Sequence, residues 1–230
     1  MKKRSSNATL LNKNMDSTFA LRRREFVTLE PPVKDIIERW PALFAESQIV
    51  AEFCRVSSKN LKIEFFKELY KYTPHFFNIF KSKGGSVGRK LVGYLQQVAP
   101  AGTDVNGKRT AVLRGLPVIL GDENNDFFKT CFDCDDLDIS NSPEDSLASP
   151  DSLHLAPSAI AIILKGKMVM DGINTLPDAI CLLFRLIYTL NVQYPQQLKN
   201  TFEFIQRVML SLGHKSLKPK LQSLKNVLMQ

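Results

Sequence analysis

No apolar run in this 230-residue chain is long enough to cross a bilayer. The longest, Ala179 to Leu190, is twelve residues with Arg185 inside it, where a span needs roughly 20. No apolar segment follows the basic start Met-Lys-Lys-Arg-Ser-Ser-Asn, so neither a secretory signal nor a membrane role is expected. Without a signal, the Asn7-Ala8-Thr9 sequon is not expected to meet the glycosylation machinery. Cysteine is scarce: four residues, Cys54, Cys131, Cys134 and Cys181, at irregular spacing. That excludes a disulfide scaffold and leads to an intracellular protein, cytoplasmic or nuclear, with reduced thiols. Histidine is scarcer still, and His75, His154 and His214 have no serine or cysteine beside them in a nucleophile motif.

The motifs that imitate chemistry each miss a required residue. Gly84-Gly85-Ser86-Val87-Gly88-Arg89-Lys90 resembles a phosphate loop, but Gly88 is followed by Arg89, not Lys, and no strand precedes the turn. It reads instead as a flexible start to the next helix. Cys131-Phe-Asp-Cys134 is a lone pair with no second pair to complete a zinc site, and Asp133, Asp135 and Asp136 disfavour a thiolate. Asp122, Asn124 and Asp126 begin like a calcium loop, but Phe127 stands where the turn needs glycine. The expectation is no catalytic residue, no metal and no cofactor.

What the chain has is helical apolar patterning, with hydrophobic residues making up 44%. Val33, Ile36, Ile37 and Trp40 follow Pro31-Pro32 at helical spacing. A second helix over 42–55 buries Leu43, Phe44, Ile49, Val50 and Phe53. Ser57-Ser58 then caps a longer helix that Thr73-Pro74 kinks or restarts. Val87, Leu91, Leu95 and Val98 form another stripe. Residues 110–120 read as two short strands, or as one helical turn and a strand, around Arg114-Gly115-Leu116. Residues 158–171 read as a β-hairpin turning at Lys165-Gly166-Lys167.

The run 177–190 predicts the most buried helix, with Arg185 meeting an acidic partner or snorkelling to water. Two further helices open at Pro195 and Pro219, with Leu198, Phe202, Ile205, Met209 and Leu212 on one and Leu221, Leu224 and Leu228 on the other. The fold class is therefore mainly α, of the α+β kind, with one small hairpin. The expected organisation is a basic tail over 1–29, disordered or weakly helical, and a single helical domain over 30–230. Within that domain, 30–101 and 102–230 are candidate subdomains.

Charge is polarised along the chain. Residues 1–24 carry seven Lys/Arg against Asp16, and residues 199–230 carry six against Glu203. Residues 122–151 carry ten acidic side chains against Lys129 and read as an irregular surface loop, with Ser142 and Ser149 before prolines. The basic tail marks Lys2, Lys3, Arg4, Arg22, Arg23 and Arg24 as candidate contacts to an anion or partner.

Several blocks resemble a known family. Residues 15–27 (Met-Asp-Ser-Thr-Phe-Ala-Leu-Arg-Arg-Arg-Glu-Phe-Val), Arg39-Trp-Pro-Ala-Leu-Phe44, Ala51-Glu-Phe53, Lys83-Gly-Gly85, Leu113-Arg-Gly-Leu116, Tyr194-Pro195, Lys199-Asn-Thr-Phe202, Phe204-Ile-Gln206 and residues 221–226 carry the likeness. Together they are similar to the C-terminal region of the fish sterile alpha motif domain-containing protein 3-like family, from about Met15 onward. The resemblance brings no catalytic residue. The helical module that names the family is not evident here, so the chain is expected to be a short or truncated member, without self-association through that module. The functional expectation is a non-catalytic interaction module with a protein partner. The alternative is a nucleic-acid-associated protein using the basic tail and C-terminus for weak contact. Oligomeric state is not legible.

Overall fold

The computed structural model describes residues 2–99, 104–122, 127–129, 152–155, 157–213 and 216–230, the side chains of 2–7 lying outside what is described. Within these residues the chain is mainly helical with one two-stranded antiparallel hairpin, as its patterning implies. The helices are α1 (Lys2–Ser17), α2 (Phe19–Thr28), α3 (Val33–Arg39), α4 (Glu46–Ser57), α5 (Leu61–Ser82), α6 (Gly85–Val98), α7 (Val105–Leu120), α8 (Leu176–Leu190), α9 (Lys199–Phe204) and α10 (Pro219–Leu228). The strands are β1 (Ile160–Leu164) and β2 (Lys167–Ile173).

The chain forms two compact units, each assembled from separate stretches. The first comprises Met1–Leu61, Ile160–Ile173 and Ala179–Gln193. Its helices α1 and α2 occupy the stretch read from sequence as a basic tail, disordered or weakly helical. The sequence there has little helical amphipathicity, because what fastens these helices is one buried arginine and two apolar anchors, Met15 and Phe26. Tertiary contact supplies most helix stability, so a weak local signal does not prevent a helix. The hairpin turns at Lys165 and Gly166, both at positive φ (51° and 74°), the geometry whose twist suits a two-residue connection. Ile162, Leu164 and Ile173 are buried while Ile163 and Met168 are exposed, the period-two pattern of a half-covered sheet. β2 continues through Asp171-Gly172 to Ile173, and α3 packs against it.

Helix α8 is as buried as its composition demands: from Ala179 to Leu190 only Tyr188 is more than marginally exposed. Phe53 of α4 meets Phe184 and Tyr188 with ring centroids 6.5 and 5.4 Å apart. Arg185 departs from expectation. It neither snorkels nor finds an acid, being 2% exposed with no charge partner among the described residues.

The second unit comprises Lys62–Ala159, Asn174–Asp178 and Tyr194–Gln230. Helix α5 runs unbroken through Pro74, where Thr73 Oγ1 donates to the Leu69 carbonyl at 2.6 Å. Ser57-Ser58 ends α4 and does not cap α5: Ser58 is left-handed (φ 56°), and its amide bonds the Cys54 carbonyl. Residues 105–120 form one helix, neither of the alternatives drawn from β-branched residues. Asp104 caps it through the amides of Asn106 and Gly107, and its residues 110–117 are buried nearly all round, where tertiary burial overrides β propensity. Gly115 lets α7 approach the Phe80 ring, since a Cβ there would lie 2.3 Å from Phe80 Cζ. The stretch after Pro195 keeps its expected buried residues but is not one α-helix. A 3-10 turn, α9 and a π turn (Ile205–Met209) follow one another, with Leu210 N–H reaching the Ile205 carbonyl at 2.9 Å. Phe76 joins Phe204 across this core at 6.4 Å.

Candidate functional site

The basic cluster picked out by sequence is divided by the fold. Lys2, Lys3 and Arg4 lie on α1, with their side chains outside the described set. Arg24 is exposed, and Arg23 is half-buried and donates from Nη1 to the Thr189 carbonyl at 3.3 Å. Arg22 is fully buried and is removed from any set of outward-facing contacts.

Arg22 forms a forked pair with Glu52, itself 1% exposed: Nε donates to Oε1 at 2.8 Å and Nη2 to Oε2 at 2.6 Å. Nη2 also donates to the Met15 carbonyl at 2.7 Å, and Nη1 to the Thr18 hydroxyl. Glu52 takes a second cation, because Arg55 Nη1 reaches Oε2 at 2.6 Å while Arg55 Nη2 reaches Asp16 Oδ1 at 2.6 Å. The chain of charges Arg22–Glu52–Arg55–Asp16 thus ties α1 and α2 to α4. Planar two-point pairing is what guanidinium offers and ammonium does not, so lysine would not substitute at position 22.

Trp40 lies beside this network. The Arg22 and Arg39 guanidinium groups lie 5.4 and 5.6 Å from its ring centroid, and its Nε1 donates to Glu25 Oε2 at 3.3 Å. Arg39 in turn pairs with Glu25 at 3.3 Å. The Arg39-Trp40-Pro41 block is therefore structural punctuation, holding the end of α3 against α2. Sequence reasoning missed Glu52. Its signal was present, a lone carboxylate between Ile49 and Phe53 on the apolar stripe of α4.

In the second unit several charged groups are also engaged. Glu203, 8% exposed, accepts from Arg207 at 2.9 Å and from the exposed Lys218 at 3.0 Å, so two of the C-terminal cations are paired within the chain. Asp122 caps the start of α9, accepting from the Thr201 amide and hydroxyl, both at 2.7 Å, and from Asn200 at 2.8 Å. Burial opposes the charge on Asp178. Bonds from Lys62 and Thr175, with the nearby Arg109, outweigh it and hold the carboxyl below its ordinary range. Burial, assisted by the Arg114 charge, pushes His154 below an ordinary histidine.

The remaining motifs sort plainly. In the glycine cluster, Gly88 lies against the Lys83 carbonyl, where a Cβ would come within 2.0 Å, so the glycine serves close packing at the start of α6. His75 is exposed on α5 and its Nδ1 bonds the Lys71 carbonyl at 3.3 Å. Cys54 donates to the Lys59 carbonyl and Cys181 is buried. Cys131, Cys134, His214, Ser142 and Ser149 lie outside the described residues, as does the acidic stretch apart from Asp122 and residues 127–129. No group of three or more His, Cys, Asp or Glu capable of holding a metal occurs among the described residues, and no helix among them is long and apolar enough to cross a membrane.

No curated protein and no solved structure matches the chain. Residues 1–45, which carry α1 to α3 and most of the buried arginine's surroundings, match the family model described as sterile alpha motif domain-containing protein 3, helical domain. Over that segment, about a fifth of the chain, the sequence is similar to the sterile alpha motif domain-containing protein 3 helical domain, the family its motifs resemble.

Proposed function

We propose that the chain is a non-catalytic intracellular interaction module that works by presenting helical surface to a protein partner. The observation that carries the reading is the outer face of α5. Its opposite side buries Leu61, Phe65, Leu69, Tyr72, Phe76, Ile79 and Phe80. The outer stripe leaves Ile63 61% exposed and Tyr70 71% exposed, with exposed Lys67, Lys71 and Lys81 around them. Positions 63, 67, 70, 74 and 81 fall on one side of a 3.6-residue helix. A large aromatic set among cations is the kind of anchor that dominates binding energy at interfaces. The Tyr72 hydroxyl and Glu68 keep the Lys71 ammonium more basic than an ordinary lysine, so the face stays cationic. A non-catalytic reading is supported by where the buried acids go: Glu52 and Glu203 are each held by two cations.

The test is capture with purified chain against an Ile63→Ser/Tyr70→Ser variant of unchanged circular dichroism. The expected result is a partner retained by the parent chain, by His75→Ala and by Cys131→Ala, and lost by the double variant. Retention that disappears after nuclease treatment points instead to the nucleic-acid reading. Its contacts then lie with Lys2, Lys3, Arg4, Arg23 and Arg24, since Arg22 is committed inside. A turnover abolished by His75→Ala overturns the non-catalytic reading.

A further inference from the structure

Among its described residues, the first unit buries one more cation than its buried carboxylate accounts for. Glu52 is already shared by Arg22 and Arg55. Arg185, on α8, is 2% exposed, its Nε has no acceptor, and no carboxylate among the described residues pairs with it. One turn on, Thr189 is 1% exposed and its Oγ1 also has no partner. Residues four apart on a helix stand one above the other, so these two unsatisfied groups share a face. A second guanidinium reaches the same turn, because Arg23 Nη1 donates to the Thr189 carbonyl at 3.3 Å.

Buried charges are normally paired, and a buried polar atom left without a partner calls for a reason. The negative end of α8 attracts cations and accounts for Arg23 at its last carbonyls. It does not account for a guanidinium edge and a hydroxyl that both lack partners. Phe184 and Tyr188, stacked at 6.1 Å, occupy the neighbouring face.

We propose that Arg185, Thr189 and Arg23 form a binding position for one compact oxyanion, a phosphate group or a carboxylate. The planar fork of Arg185 matches two oxygens of either group, Thr189 Oγ1 donates to one of them, and Arg23 supplies the second positive charge. Low local polarity strengthens each of these bonds. The site is independent of the α5 surface, so it stands or falls separately from the interaction reading.

The test is thermal unfolding of the full chain in a phosphate- and carboxylate-free buffer, then with inorganic phosphate or with acetate, using chloride to hold ionic strength constant. The parent midpoint should rise with the bound anion, by roughly 5–10 °C at about 100 times the dissociation constant. The phosphate and acetate arms distinguish the two sources. Arg185→Met should melt at or above the parent in the phosphate- and carboxylate-free buffer, because it removes an unpaired buried charge, and should lose the response. Thr189→Val should keep the fold and weaken anion affinity roughly tenfold or more. The proposal is overturned if the parent responds to neither anion or if Arg185→Met responds like the parent. It is equally overturned if Arg185→Met fails to fold or melts well below the parent in the phosphate- and carboxylate-free buffer, since the guanidinium would then already have what it needs.

Discussion

Removing the carboxylate at position 52 is the sharpest perturbation of the first unit. Glu52→Leu leaves Arg22, with no exposed surface, bonded only to the Met15 carbonyl and the Thr18 hydroxyl beside the Trp40 ring. Breaking a buried pair from one side costs about 3–5 kcal/mol, because the remaining charge stays desolvated. Replacing both partners by apolar groups of similar size removes that penalty, so Arg22→Met/Glu52→Leu should lie within about 1 kcal/mol of the parent. The expected result is thus a strongly non-additive cycle, each single variant costly and the double nearly neutral. Trp40 is the chain's one tryptophan and sits 5.4 Å from the Arg22 guanidinium, so its fluorescence during urea unfolding reports this unit directly. Single variants should unfold at lower urea with an unchanged slope. Two single variants whose costs simply add, or a Glu52→Leu cost under about 1 kcal/mol, would refute the account of α1 and α2 as held by this pair.

Other outcomes follow from the same geometry. Gly115→Val should destabilise the second unit by about 1–3 kcal/mol, read in a circular dichroism melt, since its Cβ would meet the Phe80 ring at 2.3 Å. Phe184→Ala should cost about 3–5 kcal/mol by emptying the contact with Phe53, and a change under 1 kcal/mol would mean that α8 is not central. Asp178 has its carboxyl pKa lowered by folding, so its stabilisation is present above the unfolded value of 3.8 and is lost as pH falls through the folded one. Asp178→Asn should therefore lower the melting temperature at pH 7 and have little effect at about pH 2. If nucleic acid binds the N-terminal helices, Arg24→Ala should reduce the salt slope by about 0.9 per lost duplex contact. Lowered affinity in Arg22→Met should instead track lowered stability.

Sequence by itself determined the elements whose apolar period is strong. The buried run at Ala179–Leu190, the stripes ending in Val98 and Leu228, and the hairpin about Lys165-Gly166 follow from local pattern and turn chemistry. Their residues must leave water whatever else the chain does. Tertiary structure decided the rest, for reasons that are non-local. Helices α1 and α2 exist as packed elements because Arg22 meets Glu52, thirty positions away, and a charged residue in a weakly amphipathic stretch gives no sign of such a partner. Residues 110–117 are helical because they are buried nearly all round, which cancels the alternation that would have marked strands. The glycine cluster at 84–88 is settled by one close approach to the Lys83 carbonyl, and Arg185 by the absence of any acid within reach among the described residues. Which charges face solvent and which are spent inside depends on pairing across the fold, and one-dimensional spacing does not encode that.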